Sequence, residues 1–165
     1  MQHDWVLDPL AQPEIPPPAL LPMVLVVDDQ LDVRQLVSRI LRTRGFDVYV
    51  ADSAAHAVQL ANIIRFDAAV IDLAMPEETS GLNLLAWFRS HRSYRRLPVM
   101  ILTGHLELDE DVQELIRRQH AYVFYKGHSL AVLVDHLTRL TRRDVMGAPP
   151  LCGLLPWGQG ELVPM

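Results

Sequence analysis

From residue 22 to residue 145 the chain alternates between two hydrophobic patterns. One is a short, unbroken apolar run: Met23 to Val27, Ala69 to Ile71 and Val99 to Leu102. Runs without polar alternation predict strands buried on both faces, as in a parallel sheet covered by helices. The other pattern repeats at helical spacing. Val33, Leu36, Val37, Ile40 and Leu41 form a stripe, and Gly45 closes that helix from the position after its C-cap. Phe46 to Ala51 predicts a second strand, and Ser53 can cap a second helix with Ala54, Val58 and Ala61 on one face. The strand ending in Asp72 leads to a helix from about Leu82 to His91. The strand opening at Pro98 leads to a helix over roughly Asp109 to Arg118 that buries Val112, Leu115 and Ile116. A fifth strand, Ala121 to Tyr125, precedes a last helix opened by Ser129 and carrying Leu130, Leu133, Leu137 and Leu140. Five strand–helix repeats imply right-handed crossovers and helices on both faces of a parallel sheet. They are too few for a closed eight-fold barrel, so the expectation is an open, doubly wound α/β sheet.

Proline placement sets the expected boundaries. Ten of the twelve prolines lie toward the two ends: Pro9, Pro13, Pro16, Pro17, Pro18 and Pro22, then Pro149, Pro150, Pro156 and Pro164. Residues 1–21 read as an extended arm, 22–145 as the domain and 146–165 as an irregular tail. Trp5, Leu154, Leu155 and Trp157 offer those ends apolar groups for docking on the domain or on a second copy, against the plainer reading of flexible ends. A length of 165 residues, half of them hydrophobic, suits one globular domain. A net charge of −5 gives no general attraction to nucleic acid or to an anionic membrane. The single cysteine, Cys152, cannot form an internal disulfide, no basic apolar leader opens the chain, and no apolar run is long enough to span a bilayer. The expectation is a soluble, cytoplasmic chain that uses neither nucleic acid nor membrane as partner.

In a parallel sheet every strand ends at the same edge, which is where open α/β sheets bind ligands. Four of the five predicted strands deliver a specific group there: Asp28 and Asp29, Asp72, Thr103 and Lys126. Each has a plain explanation alone. Acids favour a helix N-terminus, Asp and Thr are common in turns, and a lysine is usually a solvated charge. Coincidence at four strand ends is harder to explain that way. Three converging carboxylates repel one another unless a cation neutralises them, and oxygen ligands with open positions suit Mg²⁺. A lysine and a hydroxyl aimed at the same point would donate to the oxygens of a phosphoryl group.

The ordered set Asp28-Asp29, Asp72, Thr103 and Lys126 on alternating strands and helices resembles the receiver domain of two-component response regulators, over about residues 22–145. The resemblance implies a flavodoxin-like fold with strand order 2-1-3-4-5. It implies that Asp72 is the phosphoacceptor, that Asp28, Asp29, Asp72 and the main-chain carbonyl of Ala74 hold Mg²⁺, that Thr103 is the switch hydroxyl and that Lys126 contacts the phosphoryl group. The function it implies is that of a stand-alone phosphoacceptor regulator rather than an enzyme. A sensor histidine kinase or histidine phosphotransfer protein would be the donor, a downstream protein the target, and a homodimer a further possibility by analogy.

Four positions depart from that pattern. Gly127 stands where the family usually has proline, and the loop after Asp72 is one residue longer, with Glu77 and Glu78 inside it. Val123 occupies the place of the switch aromatic, leaving Tyr125 on the same strand face as a candidate, or Tyr122 if a bulge shifts the register. Ala74 and His105 flank the position of the attacking water, and only His105 can orient it. Arg89, Arg92, Arg95 and Arg96 are read as complementing the carbonyl end of the third helix while staying solvated. Two other functions stay open. One is a binding module of the same fold that works without phosphorylation, for which Gly127 and Val123 speak. The other is an aspartyl phosphatase, which resembles Asp-x-Asp where this chain has Asp72-Leu73-Ala74. A dinucleotide site lacks its Gly-rich turn after the first strand.

Overall fold

A computed structural model describes residues 20–76, 80–105 and 107–145. Within them β1 (Met23–Val27), β2 (Asp47–Ala51), β3 (Ala68–Asp72), β4 (Val99–Thr103) and β5 (Tyr122–Tyr125) alternate with α1 (Leu31–Thr43), α2 (Ala54–Ile63), α3 (Ser80–Ser90), α4 (Glu110–Arg118) and α5 (Leu130–Val145). All five strands are parallel, in the order β2-β1-β3-β4-β5. This is the expected flavodoxin-like open sheet. Of the expected arm only Leu20 and Leu21 are described; the rest of it, the whole tail, and Glu77 and Glu78 lie outside the described residues.

Side chains along each central strand alternate between two cores, because successive Cβ atoms point to opposite faces. Leu25, Val27, Ala69, Ile71, Val99 and Ile101 face α2, α3 and α4, whose Ala57, Leu84, Leu85, Phe88 and Ile116 close that side. Val24, Val26, Ala68, Val70, Met100 and Leu102 face α1 and α5, where Val37, Leu41, Leu133 and Leu137 pack. With both faces covered, no residue of β3 or β4 reaches solvent. The sheet is therefore a rigid base whose strand ends hold their positions.

Local chemistry sets the helix ends. The Ser53 hydroxyl accepts from the His56 N–H and caps α2. Gly45 has φ +85° just after α1, where a side chain would be strained. Ser129 Oγ accepts from the Ala131 N–H at the start of α5.

Three expectations need correction. Leu36 is 52% exposed and Leu115 41% exposed. At roughly 100° per residue the buried arc of α1 centres on Leu41, with Val37 and Ser38 beside it, and Leu36 lies about 140° away. Ser38 is buried in its place, its hydroxyl donating to the Arg34 carbonyl. On α4 only Ile116 is fully buried, with Val112 partly so. The third correction is Arg89. It is not a solvated helix-end charge but donates to the carbonyls of Leu97, Gln119 and His120, 2.9, 2.6 and 3.4 Å away. It thus ties α3 to the ends of two neighbouring segments, and burial lowers its pKa. Arg92, Arg95 and Arg96 are exposed as expected.

Candidate functional site

Parallel register places the ends of β1, β3, β4 and β5 side by side. Val27 pairs with Ile71, Asp72 with Leu102, and Thr103 with Tyr125. The residues that follow these pairs gather at one edge, as the strand pattern requires. Asp28, Asp29 and Asp72 offer carboxylate oxygens all within 4.8 Å of one another. The Lys126 ammonium lies 3.1 Å from Asp28 Oδ2 and 3.1 Å from Asp72 Oδ1, bridging the two.

Asp72 is the most enclosed of the group, at 1% exposure. It is the last residue of β3, and the next N–H, that of Leu73, donates to the Leu102 carbonyl. Asp28 is also buried. Its Oδ1 accepts from the Gln30 N–H at 2.8 Å, and its N–H donates to the Ala51 carbonyl of β2. Asp72 Oδ2 and Asp29 Oδ1 are buried yet have no hydrogen-bond partner. Such atoms are costly in a folded protein unless something else satisfies them.

The electrostatics follow from this crowding. Burial raises the Asp28 pKa, the Gln30 N–H and Lys126 counter it, and the Asp72 charge adds to the rise. For Lys126, burial acts to lower the pKa, but the Asp28 and Asp72 carboxylates outweigh it and the net shift is upward. The lysine is thus held as a cation by two carboxylates that it does not fully neutralise.

Thr103 ends β4 and is fully buried. Its hydroxyl accepts from the His105 N–H at 3.1 Å, and its carbonyl accepts from the Lys126 N–H at 2.8 Å. The Thr103 hydroxyl therefore belongs to the cluster by position, while its hydrogen bond is to its own loop. His105 and Ala74 are exposed residues of the two loops that border the cluster. The buried Met75 anchors the loop that carries Ala74.

β5 pairs with β4 residue for residue, so no bulge brings Tyr122 inward. Tyr122 stays beside α5, its ring 5.6 Å from His136. Val123 packs toward the α4 side, and Tyr125, two residues on, is half-buried beside Thr103 with its ring 5.6 Å from His128. Of the two candidates for the aromatic, Tyr125 is the one paired with Thr103 across the sheet. The Lys126-Gly127 turn contains no cis peptide and is closed by the His128 N–H donating to the Tyr125 carbonyl.

Two residues that build the cluster carried no signal of their own in the sequence. Gly81, in the first turn of α3, passes so close to β3 that a Cβ there would sit 2.4 Å from the Asp72 carbonyl oxygen. Arg34 of α1 donates from one guanidinium nitrogen to the carbonyls of Asp28 and Asp29, 2.5 and 3.4 Å away. A lone glycine at a helix start and an arginine on an amphipathic helix are both too common to single out.

Residues 24–138 match the family model described as the response regulator receiver domain. The chain belongs to that family. Among curated relatives, this receiver domain is 30% identical over 128 residues to the cell cycle transcriptional regulator CtrA of Caulobacter vibrioides, covering 67% of this chain and 54% of the relative. It is 35% identical over 122 residues to the transcriptional regulatory protein PrrA of Mycobacterium tuberculosis, covering 74% of this chain and 51% of the relative. The chain thus spans about half the length of these relatives. Among solved structures it resembles the Francisella response regulator 1452 receiver domain, with a TM-score of 0.66, 29% identity, and coverage of 74% of this chain and 98% of that one. It also resembles the chemotaxis response regulator CheY4 of Vibrio cholerae, with a TM-score of 0.65, 27% identity, and coverage of 73% and 98%. Among the described residues no helix is long and apolar enough to cross a membrane.

Proposed function

We propose that this receiver domain is a phosphoacceptor in a two-component phosphorelay, with Asp72 as the acceptor. The observation that carries the reading is the Lys126 ammonium set 3.1 Å from both Asp28 and Asp72, beside an Asp72 oxygen that has no partner. A buried carboxylate with a free oxygen and a fixed neighbouring cation is poised to attack phosphorus on a partner's phosphohistidine, forming an acyl phosphate as the P–N bond breaks and the imidazole leaves. Lys126 then neutralises charge on the transferred group, an electrostatic contribution that needs no reorganisation at the moment of reaction.

Three carboxylates with ligand atoms within 4.8 Å and two orphaned oxygens fit Mg²⁺. Asp28, Asp29, Asp72 and the Ala74 carbonyl would hold it. When bound, Mg²⁺ supplies positive charge to the phosphoryl oxygens. The Thr103 hydroxyl accepts from the His105 N–H of its own loop, and a phosphoryl group on Asp72 offers the hydroxyl proton a charged acceptor. Turning toward that acceptor draws the loop leading to α4 inward. Tyr125, next to Thr103, follows, and the α4–β5–α5 face changes shape for a downstream protein. His105, exposed in the loop after Thr103, would orient the water that hydrolyses the aspartyl phosphate, since the Ala74 methyl has no polar atom to do so. Function by protein contact, with a histidine kinase or phosphotransfer protein as donor, makes the chain a regulator rather than an enzyme acting on a separate substrate. A soluble cytoplasmic setting accords with such a donor.

The test is Mg²⁺ with acetyl phosphate or beryllofluoride on the purified chain. Wild type should gain one phosphoryl group, labile in base, or bind beryllofluoride with changed amide signals in the loop after β4. Asp72→Asn should do neither. A wild type that stays silent to both reagents would leave the fold working as a binding module without phosphorylation, the reading for which Val123 and Gly127 speak.

A further inference from the structure

The acid pair at the end of β1 is held from behind by a residue outside the carboxylate–lysine set. Arg34 lies in the first turn of α1, and one guanidinium nitrogen reaches back to the main-chain carbonyls of Asp28 and Asp29. Asp28 is then fixed at three points: its carbonyl by Arg34, its Oδ1 by the Gln30 N–H and its Oδ2 by Lys126. Asp29 has one such point, its carbonyl, while its side-chain Oδ1 has no partner. We infer that Arg34 is a positioning residue that sets the spacing of the two carboxylates for a small divalent cation. The inference rests on reading Asp28, Asp29 and Asp72 as a cation site.

Two physical effects of Arg34 oppose each other. Its positive charge repels a second cation, so by charge alone its loss would tighten metal binding. Its hydrogen bonds hold two neighbouring peptide carbonyls at fixed directions, so by geometry its loss would loosen the pair and weaken binding. Groups behind metal ligands are typically worth about 10–100-fold in affinity. Mg²⁺ demands near-octahedral ligands and tolerates little slack, whereas the larger Ca²⁺ accepts irregular coordination. A loosened acid pair therefore loses Mg²⁺ more than Ca²⁺. Lysine preserves the charge, but its ammonium sits one atom nearer the backbone than the Arg34 terminal nitrogen, on a flexible stem, and does not hold both carbonyls in the same directions.

The experiment is calorimetric titration of the full chain with MgCl₂ and, separately, CaCl₂, for wild type, Arg34→Lys and Arg34→Gln. Melting curves in chelator are recorded alongside. Positioning predicts that both variants bind Mg²⁺ about ten-fold or more weakly. It also predicts that the preference for Mg²⁺ over Ca²⁺ shrinks in both. Arg34→Lys binding Mg²⁺ as wild type does would overturn the inference. So would an unchanged Mg²⁺-to-Ca²⁺ ratio in both variants, since a general loss of stability weakens the two ions together and the loss of a positive charge tightens them together. Wild type that binds neither ion removes the cation-site reading and this inference with it.

Discussion

At the scale of single residues, the site combines groups that oppose each other in the absence of a cation. Asp28 has a folded pKa above its usual 3.8, so its ionisation works against the fold. The stability it contributes is present below pH 3.8, where it is protonated in both states, and falls as pH rises through the folded value. Asp28→Asn, which cannot ionise, should therefore melt at a higher temperature than wild type at neutral pH in chelator. The advantage should fade as pH is lowered toward 4, and equal melting temperatures across that range would count against the crowding. Lys126 works the other way. Lys126→Ala leaves two buried carboxylates without their cation and should cost about 1–3 kcal/mol in chelator by denaturant titration. Saturating Mg²⁺ should recover more stability in that variant than it adds to wild type. Gly81 is a steric case: Gly81→Ala drives a methyl into the Asp72 carbonyl and moves α3 or the end of β3. That variant should bind beryllofluoride at least ten-fold more weakly, while neighbouring Ala86→Ser, on the exposed side of α3, should not.

At the scale of elements, strands and helices were legible to different degrees. Every strand appears within a residue of its expected end, because an apolar run closed by Asp28, Asp72 or Thr103 has an obvious stop. The Ser53 cap and the Gly45 stop were equally readable, since both are local backbone chemistry. Ser53→Ala should accordingly cost about 1 kcal/mol in a denaturant melt. Helix faces were harder. Leu36 and Leu115 satisfy the apolar periodicity yet face outward, because periodicity names a stripe without saying which neighbour covers its margins. α4 is the least embedded helix, held chiefly by Ile116 and, at its C-terminal end, by Arg89. Its N-terminal end has no side-chain cap. A helix tied by Arg89 at one end and without a side-chain cap at the other suits the movement proposed for Thr103 and its loop. Arg89→Ala should raise amide exchange at the end of α4 and the turn into β5 without altering the Asp72 cluster.

At the scale of the whole molecule, a ligand that binds only the folded state stabilises it by mass action. Mg²⁺ at about 100 times its dissociation constant should add roughly 2.7 kcal/mol to wild type. Asp72→Asn should lose most of that gain, and an equal gain in both would place the ion elsewhere.

The order of residue types along the chain was enough to determine five strand–helix repeats, a parallel sheet, and the four strand ends where Asp28-Asp29, Asp72, Thr103 and Lys126 stand. Those features are encoded locally, in run length, spacing and the residue that stops each run. Only the tertiary structure decided that Lys126 touches Asp28 and Asp72 together, that Tyr125 rather than Tyr122 pairs with Thr103, and that Arg34, Gly81 and Arg89 lie against main-chain carbonyls. These depend on how the folded backbone brings groups together, across distant segments for Lys126, Tyr125 and Arg89 and across a single turn or loop for Arg34 and Gly81. An arginine that binds carbonyls looks the same in sequence as one that binds water, and a glycine shows its purpose only when another backbone lies against it.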